Sequence, residues 1–405
     1  MNETLLIKNC RLETGFKKSG NTVSQTETAL VDLLIEKGKI SQIIQEGEGQ
    51  LAVATVYDAK GQLVLPGFVE SHSHLDKSRL GTPWKAVKRV PSIIERFEDE
   101  MIELKQLDKG VQERAKILLD TYRQNGVTAI RTHVDVHPTV GLEHLAEVMD
   151  ALTNQQKMDF EVVAFPQHGL LRSNSVDLMK QALKKGATIV GGVDPTAVDQ
   201  QMEKSLVMTF ELAMENNARI DLHLHERGEM GIKTFNELIR LTNHYHWQGK
   251  VAVSHGFGLR DVTGSRKEEL FQSLNEAKIE IITSVPIDPV IPPMLELASK
   301  GVTTKIGCDN IFDNWSPYGN GDILERASRF GELFNQVTEF ELSRTLGLIT
   351  NGVTPLNDEG EQVWPKIGDK ATFVFTNASC SAEAVARRTS PTVTMYQGRI
   401  TSGVF

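Results

Sequence analysis

Cysteine is scarce in this sequence of 405 residues. The chain has three cysteines, Cys10, Cys308 and Cys380, and they lie far apart. An odd number of isolated cysteines excludes a disulfide framework and a Cys-x-x-Cys metal site. This scarcity fits nitrogen and oxygen ligands for any metal that the protein holds.

The sequence also lacks a basic excess and long apolar runs. It has 44 basic and 53 acidic residues, for a net charge of −9, which argues against generic binding to nucleic acid or to an anionic membrane surface. The opening MNETLLIKNCRLETG has neither a basic segment nor an apolar segment of a secretion signal. No run of about 18 apolar residues follows anywhere. We therefore expect a cytoplasmic protein that binds neither nucleic acid nor membrane.

The composition is that of an ordinary globular protein with a large core. Hydrophobic residues make up 40% of the chain and charged residues 24%, which excludes disorder and collagen-like repeats. The length favours two or three domains, or one large barrel with appendages. The eleven histidines are the main resource for chemistry.

From Pro66 to about residue 350, short β-branched runs alternate with helical stretches, which is typical of βα units around a parallel sheet. Eight such units within roughly 300 residues predict a (β/α)8 TIM barrel. An open doubly wound sheet is the alternative, and the absence of a GxGxxG motif after the first strand disfavours it. The eight runs are 62–74, 127–136, 160–167, 187–195, 219–225, 250–256, 279–286 and 302–310.

Both ends of the chain are rich in short strands. Apolar and polar residues alternate in the first 60 residues, and strands return in KATFVFT and TVTMYQGRITSG after residue 365. We therefore predict a small β-sandwich domain formed by residues 1–61 and 365–405. Residues 62–364 would form the (β/α)8 barrel.

Histidines and aspartates stand at the ends of the predicted barrel strands, where the active sites of such barrels lie. His72 and His74 end the first run and His223 and His225 the fifth, and residues i and i+2 share one face of a strand. His72, His74, His223 and Asp309 would supply three nitrogens and one oxygen at one mouth, a set that suits zinc or ferrous iron. Any one histidine alone could be a structural residue, but their shared position argues against that for the group. We expect His144, His244 and His246 at the surface.

Several segments resemble a known enzyme family. GFVESHSHLDKS is similar to the first-strand HxH motif of the amidohydrolase superfamily. RTHVDV, VVAFPQHG, IDLHLHE, SHG and GCDNIFDNWSPYGNGD resemble, in order, its cytosine deaminase-like branch, which includes the N-isopropylammelide isopropylamidohydrolases. The resemblance extends over essentially the whole chain. It implies a (β/α)8 barrel enzyme, and relatives of this kind often form homo-oligomers, although no motif here encodes one.

The resemblance also implies one divalent metal ion, Zn or Fe(II), bound by the four residues named above. Asp309 would take and pass on the proton of the attacking water, and His255 would stabilise the attacking oxygen. Binuclear relatives use a carboxylated lysine after the fourth strand, whereas this run ends in GGVDP. The missing lysine argues against cyclic amide hydrolysis, which normally uses the binuclear site.

Two residues compete for the role of proton carrier. Glu226 keeps the spacing from His223 that the cytosine deaminases show for their glutamate, whereas His225 resembles the alkylamine-hydrolysing relatives. A surface glutamate and a structural histidine are the respective structural alternatives. The sequence leaves this choice open.

Six residues are the expected substrate contacts by the same resemblance. Gln167 would hold the substrate ring by its amide, because an amide offers both a donor and an acceptor. Lys77 would pair with a carboxylate or an anionic ring oxygen, and Asp194 would either serve the site or cap the next helix. Asn310 replaces an aspartate of the cytosine deaminases, which makes cytosine one candidate among several. His225 and Trp315 complete the set, with core packing as the alternative for Trp315.

The sequence therefore predicts a deaminase-type hydrolase that cleaves an exocyclic C–N bond of a small nitrogen heterocycle by metal-activated water. An N-alkylamine hydrolase acting on a triazine-type ring uses the same machinery and differs in its leaving group. A non-catalytic binding barrel is the alternative from a different class. It would be expected to have lost a ligand, and none is missing.

Overall fold

The structure, a computed structural model, describes residues 4–45, 53–155, 157–288 and 290–405. Strands fill the described part of the chain before the barrel. Lys37 and Gly38 both have positive φ, 53° and 74°, as a tight two-residue hairpin turn between the second and third strands requires. The strands are β1 (Thr4–Ser19), β2 (Thr22–Glu36), β3 (Lys39–Gln45), β4 (Thr55–Asp58) and β5 (Leu63–Pro66).

The next eight strands form a parallel sheet in sequential order, and helices connect them. The sheet closes on itself, because Ser73 forms a parallel bridge with Asp309 and the Asp309 amide donates to the His72 carbonyl at 2.7 Å. This confirms the predicted (β/α)8 barrel. The strands are β6 (Phe68–Ser73), β7 (Val127–Asp135), β8 (Asp159–Phe165), β9 (Ile189–Val193), β10 (Arg219–Leu224), β11 (Val251–His255), β12 (Glu280–Thr283) and β13 (Thr304–Ile306).

The helices pack their apolar faces on the barrel and on one another. None of those in the described ranges is long and apolar enough to cross a membrane. They are α1 (Ile93–Leu104), α2 (Val111–Gln124), α3 (Glu143–Thr153), α4 (Val176–Lys184), α5 (Met202–Glu215), α6 (Gly228–His244), α7 (Gly264–Glu276), α8 (Met294–Ser299), α9 (Ile323–Leu333), α10 (Glu339–Thr345) and α11 (Ser381–Arg387), with 3-10 turns at Phe257–Arg260 and Leu346–Ile349.

The last strands are β14 (Phe373–Thr376), β15 (Pro391–Tyr396) and β16 (Arg399–Gly403), and they join the sheet of the N-terminal strands. The order is β16-β15-β14-β5-β1-β2-β3, with β4 beside β1. Leu33, Phe373 and Met395 are among the fully buried residues of their common core. This mixed sheet fits the extra β domain predicted from the two ends of the chain.

The prediction that residues 62–74 form one barrel strand is wrong. β5 pairs antiparallel with β14 in the terminal sheet, and the barrel begins only at Phe68. Gly67 separates the two strands, and a Cβ at this position would lie 2.2 Å from Thr128 Oγ1. The apolar pattern continues through this turn, so it could not show that the two halves pair with different partners.

Candidate active site

The four predicted metal ligands converge at the carboxyl ends of the barrel strands. The Nε2 atoms of His72 and His74 each lie 3.4 Å from Asp309 Oδ1, and His223 Nε2 lies 3.4 Å from His74 Nε2. Ligand atoms about 2.1 Å from a tetrahedral ion are themselves separated by about 3.4 Å. The donor set and its spacing therefore fit a divalent metal ion.

Hydrogen bonds behind His72 point its Nε2 atom towards this group. Ser254 Oγ donates to Asp221 Oδ1 at 2.8 Å, so it accepts from His72 Nδ1 at 2.7 Å. Asp221 is in turn paired with Arg131 at 2.8 Å. The proton of His72 is thereby placed on Nδ1, and Nε2, buried and without a hydrogen-bond partner in the described structure, keeps its lone pair for a metal.

His133 belongs to the same group, although the sequence suggested no role for it. Its ring centroid lies 4.2 Å from that of His72 and 4.5 Å from that of His223. Within the described residues neither of its ring nitrogens has a hydrogen-bond partner. The signal that could have found it is the alternation of Arg131, His133 and Asp135 on one face of β7.

Electrostatics leaves this group in the protonation state that a metal requires. Burial lowers the pKa of His133, His223 and His255 well below the usual value, so their rings are neutral. Burial opposes the charge of Asp309, but the His72 and His74 rings beside it hold its pKa well below the usual value. Neutral imidazoles and an ionised carboxylate are the forms that bind divalent ions.

Backbone strain is concentrated at the strand ends of the site. Asp194, His255 and Asp309 have φ values of 38°, 72° and 60°, in the left-handed region that side chains rarely adopt. Asp194 directly follows β9, His255 is the last residue of β11, and Asp309 lies three residues after β13. Strain of this kind persists where the surroundings fix the conformation, and it accompanies functional sites.

A cavity with an empty volume of about 350 Å³ opens beside these ligands. Five of the six predicted substrate contacts line it, and the sixth, Asp194, stands behind one of them. The lining residues are His74, Lys77, Ile93, Phe97, Phe165, Gln167, Val193, His223, His225, His255, Asp309, Asn310 and Trp315.

Asp194 holds His225 at the wall of this cavity. Its carboxylate accepts from the His225 amide at 2.7 Å and lies 2.8 Å from His225 Nδ1. Burial works against a charged ring, but Asp194 raises the pKa of His225 above its usual value. The side chain of Asp194 therefore contacts His225 and does not cap a helix, since α5 begins at Met202 after Gln201.

Glu226 contacts the loop after β9 and not the cavity. Its carboxylate accepts from the backbone amides of Thr196 and Ala197 at 2.7 and 3.0 Å and from Thr234 Oγ1 at 2.5 Å. It does not line the cavity in the described structure. Of the two predicted proton carriers, the fold brings His225 to the cavity and uses Glu226 to fix the loop after β9.

The opposite wall of the cavity depends on Glu100, a residue of α1 that the sequence did not single out. Glu100 is completely buried and contacts Lys77, Gln167 and Trp315. Asn310 donates to Asp313 Oδ2 at 2.8 Å. No local motif marks Glu100, because its partners come from three distant parts of the chain.

The expectation of a surface position is wrong for one of three histidines. His244 and His246 are exposed, but His144 lies mostly inside, with its Nδ1 3.0 Å from the buried carboxylate of Asp76. This pair is adjacent to Asp135, whose amide also donates to Asp76. A helical position alone could not show that this buried acid needed a partner.

Comparison with known proteins agrees with this geometry. The model of the amidohydrolase family matches residues 55–143 and 96–402. The chain belongs to the amidohydrolase family. The predicted enzyme class, a hydrolase of the amidohydrolase superfamily that acts on C–N bonds other than peptide bonds, is thereby confirmed.

Two curated proteins and two crystal structures are especially similar. The chain is 39% identical to the uncharacterized protein YahJ of Escherichia coli K12, over 98% of this chain and 87% of that one. It is 30% identical to N-isopropylammelide isopropyl amidohydrolase of Pseudomonas sp. strain ADP, over 94% and 95%. The structure of N-isopropylammelide isopropylaminohydrolase from Burkholderia multivorans superposes with a TM-score of 0.86 at 29% identity, over 100% of both chains.

The fold is also that of 5-methylcytosine deaminase from Klebsiella pneumoniae, with a TM-score of 0.81 at 24% identity, over 99% of this chain and 98% of that one. The predicted resemblance to the cytosine deaminase-like branch, with the isopropylammelide enzymes in it, is therefore confirmed.

Proposed function

We propose that the protein is a metal-dependent hydrolase that cleaves the exocyclic C–N bond of a nitrogen heterocycle, releasing ammonia and leaving a ring carbonyl. The observation that carries this proposal is the convergence of three histidines and Asp309 beside a cavity lined by ring-sized apolar and hydrogen-bonding groups. Membership of the family and the names of two relatives, which act on N-isopropylammelide, support it.

His72, His74, His223 and Asp309 would hold one divalent ion, Zn or Fe(II), since the spacing and protonation of these groups fit it. When bound, such an ion is a Lewis acid that makes hydroxide available from water near neutral pH. All the remaining chemistry depends on side chains of this chain.

Asp309 and His255 face the attacking oxygen. Asp309 Oδ2 lies 4.0 Å from His255 Nε2, so one water oxygen beside them could lie within hydrogen-bond distance of both. Asp309 would accept the proton of that water, and an N–H of His255 would stabilise the negative charge that develops on the oxygen during attack.

His225 would pass a proton to the ring nitrogen or to the departing amine. It lines the cavity, and its ring stacks on that of His255 with centroids 4.4 Å apart. Asp194 supports the protonated form of His225, because its carboxylate lies against Nδ1 and so leaves Nε2 as the proton donor. We therefore favour His225 over Glu226 as the proton carrier.

The opposite wall would bind the ring. Lys77 donates hydrogen bonds, Gln167 and Asn310 both donate and accept, and Trp315 with Phe97 and Phe165 supplies flat apolar surface. These groups match a small planar ring with carbonyl and N–H edges.

An alkylamine leaving group is the second candidate. The same site would then hydrolyse an N-alkylamine from a triazine-type ring. Two similar proteins carry the name of an isopropylammelide hydrolase.

The test is a screen of purified protein loaded with zinc or iron(II) against cytosine, isocytosine, substituted pyrimidines and aminotriazines. Ammonia and alkylamine are detected separately. We expect release of ammonia. Alkylamine alone would favour the second candidate, and no release from any heterocycle would contradict the proposed substrate class.

A further inference from the structure

The carboxylate of Glu100 contacts three side chains of one wall of the cavity. Its Oε2 accepts from Lys77 Nζ at 3.2 Å and from Gln167 Nε2, and its Oε1 accepts from the Trp315 indole at 2.9 Å. Lys77 follows β6, Gln167 follows β8 and Trp315 follows β13. The carboxylate is thus the common partner of three side chains that line the cavity.

The contacts with Glu100 and Lys77 fix the orientation of the Gln167 side-chain amide. Lys77 Nζ donates to Gln167 Oε1, and Gln167 Nε2 donates to Glu100, so both ends of the amide are engaged. The edge of the amide that a ring meets is therefore fixed before the ring arrives, and so is the plane of the Trp315 indole. Preorganisation of this kind reduces the cost of ordering side chains on binding.

Glu100 also changes the charge that a bound ring would meet. Lys77 Nζ lies 3.0 Å from Asp135 Oδ1 and 3.2 Å from Glu100 Oε2, and all three groups are buried. Asp76, another acid that acts on Lys77, has its own partner in His144 at 3.0 Å. One ammonium thus faces two carboxylates, so its positive charge is more than compensated before any ligand binds.

We propose that Glu100 determines the specificity of the cavity: it positions Lys77, Gln167 and Trp315, and it makes this wall favour an uncharged ring over an anionic one. The inference rests on the proposed function, because it concerns the substrate class of the same cavity. It differs from the role expected for Lys77 alone, which would attract an anionic ring oxygen.

Glu100→Gln is the informative variant because the side chain keeps its size. It removes one negative charge and replaces one acceptor oxygen by a donor, so Lys77 keeps only Asp135 as a counterion. A ring with negative charge should then bind better relative to a neutral one. A purely structural defect would weaken both rings alike.

The experiment measures the dissociation constants of uracil and barbiturate by titration calorimetry at neutral pH, with metal-loaded protein. Uracil is a neutral six-membered ring, and barbiturate is an anionic ring of the same size. We expect the ratio of the two constants to shift by about tenfold or more towards barbiturate in Glu100→Gln.

Two variants control this measurement. Glu103→Gln makes the same chemical change on the same helix, where Glu103 pairs with Arg79 at 3.4 Å and with Lys85 away from the cavity, and should leave the ratio unchanged. Glu100→Asp keeps the charge on a shorter side chain, so binding should weaken for both rings while the ratio stays within about threefold of the original. Thermal melting confirms that each variant is folded.

A ratio that does not change in Glu100→Gln, or that changes equally in Glu103→Gln, overturns the inference. Absence of binding by either ring to the unaltered protein overturns it as well. A shifted ratio in a protein that hydrolyses no heterocycle would refute the proposed function and leave the role of Glu100 standing.

Discussion

Asp194 and His225 are joined at two points, by the His225 amide on Asp194 Oδ1 at 2.7 Å and the ring Nδ1 beside Oδ2 at 2.8 Å. One carboxylate thus sets both the backbone path after β10 and the orientation of the imidazole. Asp194 itself directly follows β9 and adopts a strained backbone conformation, with φ at 38°. The position of the ring is therefore determined by a neighbouring strand.

Asp194→Asn should lower kcat by about 100-fold or more while the metal content stays unchanged. An amide at this position can donate to Nδ1, which would move the ring proton to Nε2 and remove the support for a charged ring. Steady-state kinetics of metal-loaded protein on the substrate found by the screen would measure the loss. Nearly normal kcat would exclude His225 as the proton carrier.

Glu226→Gln should affect stability and not kcat, in contrast to Asp194→Asn. Its carboxylate accepts two hydrogen bonds from backbone amides of the loop after β9 and one from Thr234 of α6, and it does not line the cavity. We expect a loss of about 1–3 kcal/mol in unfolding free energy and little change in kcat. A collapse of kcat at full metal occupancy would return Glu226 to the mechanism.

Asp309→Asn should retain the fold and lose turnover by several orders of magnitude. The hydrogen bond that closes the barrel uses the Asp309 backbone amide, so the side-chain change leaves it intact. The variant would lose the proposed base that takes the proton of water and one charged atom of the proposed metal site. Circular dichroism and kinetics together check this, and turnover close to that of the original protein would refute the role of Asp309.

Ser254→Ala should weaken metal binding by about 10- to 100-fold. The serine accepts from His72 Nδ1, and without it the ring loses its fixed orientation while Asp221 loses a donor. Competition with a chromogenic chelator measures the affinity. Ser273→Ala is the matched control, because that hydroxyl donates only to a backbone carbonyl on the exposed helix α7. Equal affinities in the two variants would contradict the prediction.

Asp313 should make stability depend on pH. Burial raises its pKa from 3.8 to about 6, although hydrogen bonds from Asn310 and two backbone amides oppose the change. Between these pH values the folded state holds more protons than the unfolded state, so stability falls as pH rises through this window and is constant above it.

Asp313→Asn does not titrate at this position, so it isolates the effect of Asp313. The unfolding free energy of the original protein minus that of the variant should fall by about 2–3 kcal/mol from pH 4 to pH 7. Urea denaturation at the two pH values measures it. A difference that rises with pH would have the wrong sign for a buried acid.

The barrel and the residues at its mouth could both be predicted from the sequence, because one local pattern indicates both. In a barrel of βα units, strand ends are marked locally by the change from β-branched runs to polar residues, and all eight ends meet at one face. Histidines and aspartates at those ends, such as His72, His223 and Asp309, therefore share one site whatever their separation in the chain.

Residues that depend on long-range partners could not be predicted in this way. Glu100 sits on a helix face with no motif, and its buried position follows from contacts with three strand ends. Glu226 has the spacing of a catalytic acid, but the loop after β9 offers its carboxylate two donors and α6 offers a third. Likewise, β5 and β6 form one apolar run in sequence, and only their pairing partners separate them.

The bridge between Ser73 and Asp309 has a consequence for how the protein is made. During synthesis the three histidine ligands leave the ribosome well before Asp309, which follows the final barrel strand. A chain that stops after β12 would carry the histidines without the carboxylate and without the strand that seals the ring. The proposed metal site would thus be complete only at the end of folding, and its full affinity would distinguish a finished barrel from every truncated or half-assembled one.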